Sequence, residues 1–106
     1  MISKKLLSEV FENKCISIIE INGILKYNNE EYQDSVYGYQ IVEREINIYE
    51  LAYKCKEWAY NNGIAIDSCF QTAIIHLDKP IEIKANTELE AVFKACEYIL
   101  KQKEEK

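Results

Sequence analysis

Residues 15–27 read CISIIEINGILKY, two apolar runs hinged on Asn22-Gly23. Both central positions of a type I′ turn need positive φ, and Asn-Gly meets that need at low steric cost. The segment is predicted as two antiparallel strands, 15–21 and 24–28, joined by that tight turn. A hairpin of this kind needs further elements to bury its apolar side, so the flanking sequence is read for partners.

On the N-terminal side, SKKLLSEVFEN (3–13) reads as a short helix. Ser3 can cap it, Leu6, Leu7, Val10 and Phe11 lie on one side, and Asn13 is its expected stop. On the C-terminal side, NEEYQDS (29–35) is polar and reads as a loop. VYGYQIVE (36–43) follows as a third strand, with Gly38 marking a bulge or a close backbone approach. In INIYELAYKCKEWAYNNG (46–63), Asn47 and Glu50 fit a capping box and Ile46 with Leu51 a hydrophobic staple. Ile48, Leu51, Ala52, Cys55, Trp58 and Ala59 form one apolar stripe at helical period, and Gly63 ends the helix.

After a short IAIDSC stretch, FQTAIIHL (70–77) reads as a strand, Asp78-Lys79-Pro80 as a break and IEIK (81–84) as a short edge strand. Thr87 and Glu90 open a last helix, striped by Leu89, Val92, Phe93, Cys96, Ile99 and Leu100. The tail from residue 100 to 106 is expected to be solvated and frayed. The order is αβββαββα. The expected fold is α+β, with a mainly antiparallel sheet of three to five strands covered by helices. The chain has 106 residues and is 48% hydrophobic, which suits a single domain, 1–106, able to bury a core without metal or disulfide.

The stretches IEIKANTELEAVFKACEYIL (81–100) and ELAYKCKEWAYNNG (50–63) are similar to parts of small phage-encoded α/β proteins, which combine a capped acidic start, an apolar stripe and a Cys- or Ala-rich middle. The likeness spans about a third of the chain and contains no catalytic signature. It implies a phage origin more than an activity.

Charge is unevenly spread. Residues 27–50 hold six acids against Arg44 alone, and that segment's net of −5 equals the net of the whole chain. An acidic face repels nucleic-acid phosphate and suits a basic protein partner. The cysteines, Cys15, Cys55, Cys69 and Cys96, form no CxxC pair, and His76 is the single histidine. Zinc ligands come in close pairs, so no metal or other cofactor is expected. With free thiols, no secretory signal at the N-terminus and no apolar run long enough to span a membrane, the expected setting is cytoplasmic.

Two constellations remain. His76 with Asp78 could share a strand face, where a carboxylate orients an imidazole, and a cysteine alongside would make a nucleophile. The bland reading is a histidine at a strand end, and no catalytic residue is assigned. The second constellation is YNNEEYQDSVYGY (27–39), acidic, tyrosine-rich and free of bases. Tyrosine offers large contact area at low entropic cost. Tyr27, Glu30, Glu31, Tyr32, Asp34, Tyr37 and Tyr39 are the expected interaction patch. Tyr49, Tyr53 and Tyr60 flank the second helix, where they either rim the core or face a partner. The leading expectation is a small intracellular protein-interaction or regulatory module without catalytic activity, binding another protein or a second copy of itself. The alternative is a small enzyme or ligand-binding domain with a site near His76.

Overall fold

The structure is a computed structural model that describes residues 2–105. Met1 and Lys106, the ends of the expected domain and tail, lie outside the described residues. The class is α+β, with three helices and six strands among the described residues: α1 (Lys4–Phe11), β1 (Lys14–Ile21), β2 (Ile24–Asp34), β3 (Gly38–Asn47), α2 (Ile48–Asn61), β4 (Ala65–Cys69), β5 (Thr72–His76), β6 (Ile81–Lys84) and α3 (Glu88–Glu104). All strand pairs are antiparallel. They make two three-stranded sheets, β1-β2-β3 and β4-β5-β6. The chain divides into two compact units, Ser3–Ile48 on one side and residue 2 with 49–105 on the other.

In the first unit the Asn22-Gly23 turn forms as the sequence predicts, with φ of 52° and 80°. Ile21 pairs with Ile24 across it, and the register runs back to Lys14 opposite Glu30. Helix α1 starts at Ser3, whose hydroxyl accepts from the Leu6 amide at 3.1 Å. Its left-handed stop is Glu12 (φ 57°), one residue before the expected Asn13. Asn13 instead donates from Nδ2 to the Phe11 carbonyl at 3.2 Å. The helix is tied to β1 where the Cys15 amide donates to Ser8 Oγ at 2.8 Å, and Phe11 stacks on Tyr27 with ring centroids 5.2 Å apart.

The polar stretch 29–35, expected as a loop, is strand through Asp34. Beyond Asn28, β2 pairs with β3 at Asn29↔Val42, Glu30↔Ile41, Glu31↔Gln40 and Tyr32↔Tyr39. A strand with one open face carries polar residues there at no cost, so low hydrophobicity did not mark its end. The connection is shorter, Ser35 to Tyr37. Asp34 Oδ1 accepts from the Val36 and Tyr37 amides at 2.8 and 2.7 Å, and Gly38 follows at φ 64°. Tyr37 therefore lies in the turn and not on a strand face beside Tyr39.

In the second unit, α2 closes in a Schellman motif. The Ile64 amide donates to the Ala59 carbonyl (3.0 Å) and the Gly63 amide to that of Tyr60 (2.9 Å), with Gly63 at φ 83°. IAIDSC supplies β4, where no strand is expected from the sequence, and β5 starts at Thr72 rather than at residue 70. Between them, Phe70 takes φ 51° in a two-residue turn that no glycine or asparagine announces. The turn is held from outside: the Ala85 amide donates to the Gln71 carbonyl at 2.9 Å and Gln71 Nε2 to the Asn86 carbonyl at 3.1 Å.

Helix α3 is capped as expected, with Thr87 Oγ1 accepting from the Glu90 amide at 3.1 Å. It packs on β4, β5 and β6, whose Ile66, Ala73 and Ile75 are buried, as are Val92 and Cys96 of the helix stripe. Cys96 Sγ donates to the Cys55 carbonyl at 3.5 Å, joining α3 to α2. Lys103 Nζ lies 6.0 Å from the Trp58 ring. The helix keeps its geometry through Glu104, past the end of its apolar stripe at Leu100.

Candidate interaction face

The parity of β2 sorts the expected patch residues. Leu25, Tyr27 and Asn29 point to the covered side of the first sheet and are buried. Ile24, Lys26, Asn28, Glu30 and Tyr32 point to the open side. Through the register, Ile19 and Ile21 of β1 join the open side, as do Tyr39, Ile41, Glu43 and Glu45 of β3. Of the seven residues named from the sequence, Glu30, Tyr32 and Tyr39 share the open face, with Asp34 and Tyr37 at its tip. Tyr27 and Glu31 do not join them.

Tyr27 belongs to the core. Glu31 makes a two-pronged ion pair with Arg44, Nη2 to Oε1 at 2.8 Å and Nε to Oε2 at 3.1 Å. The hydrogen bond from Arg44 holds the Glu31 carboxyl below the usual carboxylate range. Whatever this pair contributes to stability is present above the ordinary glutamate pKa of about 4.3, and it is lost as pH falls through the lowered value. Asn29 Oδ1 is buried with no hydrogen-bond partner among the described residues.

At the open end, Tyr32 and Tyr39 stand directly opposite and meet edge to face, with centroids 5.4 Å apart at 69°. Exposures run from 58% for Tyr32 through 65% for Tyr39, 66% for Ile41 and 69% for Tyr37 to 83% for Val36. Five large side chains in one place, all more than half exposed, are an apolar surface that water does not favour. β1 stops pairing at Glu30, so residues 31–34 and 38–40 extend past it as a two-stranded arm. Ile41 and Val36 were absent from the expected patch. Ile41 could have been found by counting parity across the hairpin, whereas Val36 carries no signal beyond lying in a turn.

The other expected chemistry is sparse. His76 Nε2 hydrogen-bonds to Asp67 Oδ2 at 2.6 Å, so its carboxylate neighbour is Asp67 on the adjacent strand and not Asp78. His76 is paired with Ala65, and Cys69 lies four residues further along β4. That displacement is about 13 Å, too far for proton transfer between them. Among the described residues no three His, Cys, Asp or Glu side chains group as a metal site, and no helix is long and apolar enough to cross a membrane. Tyr49, Tyr53 and Tyr60 are well exposed along α2 rather than rimming the core.

All four cysteines are free, and Cys69 alone is exposed. Burial raises the Cys15 thiol, with Lys4 opposing in part. Hydrogen bonding with Cys96 and then burial push the Cys55 thiol far above its ordinary range. Since the thiolate is the reactive form, a thiol-disulfide reagent is expected to titrate Cys69 rapidly in the native chain and all four cysteines only after denaturation. A second rapid native thiol would contradict this placement.

Comparison with family models, curated proteins and solved structures finds no match for this chain.

Proposed function

We propose that the chain is a small protein-interaction or regulatory module without catalytic activity, and that its working surface is the open face of the first sheet with the β2–β3 arm. The observation that carries this reading is the exposed cluster Tyr32, Val36, Tyr37 and Tyr39 on an arm reaching past its own sheet, with exposed Ile41 at the base of that arm. Aromatic residues of this kind anchor interfaces. Glu30, Glu43 and Glu45 beside them favour a basic protein over nucleic acid. The free thiols suit a reducing cytoplasm, and the likeness of its helices to phage-encoded proteins suits a phage origin.

The test is capture from a lysate of the native host by the wild type and by a Tyr32→Ala, Tyr39→Ala, Glu43→Lys variant of unchanged thermal stability. A specific protein recovered by the wild type and lost from the variant is expected. Equal recovery by both would overturn the assignment of this face. The reading centred on His76 rests on its contact with Asp67, with Cys69 displaced by about 13 Å along β4. Loss of an activity on His76→Ala would restore it.

A further inference from the structure

The hydrogen-bond phase of the first sheet fixes which backbone groups of β3 face outward. In a two-residue hairpin the pair flanking the turn, Ile21 and Ile24, exchanges both its backbone hydrogen bonds. The even-numbered residues of β2 therefore bond to β1, and its odd-numbered residues bond to β3. Their partners on β3 are Gln40, Val42, Arg44 and Ile46. The Ile48 amide, donating to the Gly23 carbonyl at 3.0 Å, continues the same phase. It follows that the N–H and C=O groups of Tyr39, Ile41, Glu43 and Glu45 point away from the sheet. β3 is an edge of its sheet, and its residues are mostly exposed. No backbone group from Gly38 to Ile46 bonds elsewhere among the described residues.

These four residues are also the ones whose side chains line the open face. A strand added at this edge would hydrogen-bond to them and set its own side chains beside theirs. Two carboxylates lie toward one end, and an aromatic and an isoleucine toward the other. The bases on this face, Lys26 and Lys14, sit on the central strand β2 and on β1 at the opposite edge, and Arg44 is on the other face, held by Glu31.

We propose that the β3 edge binds an extended segment of a partner protein by strand addition, and that this segment carries two basic residues and then two apolar residues at alternate positions, antiparallel to β3. The proposal rests on the interface reading above and specifies its partner. A second copy of the chain fits less well. In a two-fold antiparallel pairing of β3 with itself, Glu43 and Glu45 meet each other, Asn47, Tyr39 or Ile41, and in no register a base. Charged edge residues of one sign also disfavour such pairing.

The probe is the synthetic peptide Lys-Thr-Lys-Thr-Ile-Thr-Tyr, titrated into the full chain and followed by amide NMR shifts. Shifts concentrated at Tyr39, Ile41, Glu43 and Glu45 are expected. Replacing both lysines with glutamate should weaken binding by about tenfold or more. Ile41→Pro removes an outward N–H and leaves the bonds to β2 intact, so it should abolish binding while the rest of the spectrum stays folded. A Glu43→Lys, Glu45→Lys variant, which needs no backbone change, should also lose the peptide. Absence of binding, equal binding by the acidic peptide, or equal binding by Ile41→Pro would overturn the proposal. So would a dimer that Ile41→Pro dissociates. If the peptide fails while lysate capture still depends on Tyr32 and Tyr39, only the strand-addition proposal falls. If both fail, the interface reading falls with it.

Discussion

Leu25→Ala is expected to destabilise the protein by about 3 kcal/mol, within the range for emptying a fully buried leucine site. Leu25 has no exposed surface and points to the covered side of β2, where it pairs across the sheet with Ile46. The loss combines the transfer energy of the removed groups with a cavity that a hydrogen-bonded strand cannot collapse to fill. Against a total stability of about 5–15 kcal/mol, the shift should be plain in the urea midpoint. Ile19→Ala, on the open face of the same sheet, should change stability by about 0.5 kcal/mol or less. Equal losses at the two positions would mean that the faces have been assigned the wrong way round.

Val42→Pro should cost about 3 kcal/mol or more, while Ile41→Pro one residue earlier should cost much less. The two residues differ in the direction of their amides. Val42 is paired with the buried Asn29 and belongs to the inward-bonding phase of β3. Proline there removes a ladder hydrogen bond and places its ring against β2. At Ile41 the missing N–H is one that none of the described residues uses. Thermal unfolding of the two variants measures the contrast. Equal destabilisation would show that the phase, and with it the set of outward groups on β3, is displaced by one residue.

The Asn22-Gly23 turn was legible because few dipeptides tolerate two positive φ angles in succession. The helix caps at Ser3 and Thr87 were legible for a similar reason, since each oxygen satisfies an amide that the helix leaves unpaired. The far half of β2 was not. Asn29 to Asp34 is a polar run, and only its partner strand makes it a strand. Its polar composition masks the parity that starts at the turn. Continued from Leu25, that parity puts Tyr27 with the core and Tyr32 with the open face. β4 was missed because its turn holds Phe70 at φ 51°, a conformation maintained by contacts from residues 85 and 86 that lie far along the chain. The composition of 27–39 indicated an acidic, tyrosine-rich surface, but composition does not say which tyrosines share a side.

Hydrogen–deuterium exchange of the chain alone and with its captured partner tests the proposed interface most directly. Amides in β3 are expected to slow on binding, above all those of Tyr39, Ile41, Glu43 and Glu45, with little change along α2 or at His76. Slowing confined to α2 or to the second sheet, with β3 unchanged, would contradict it.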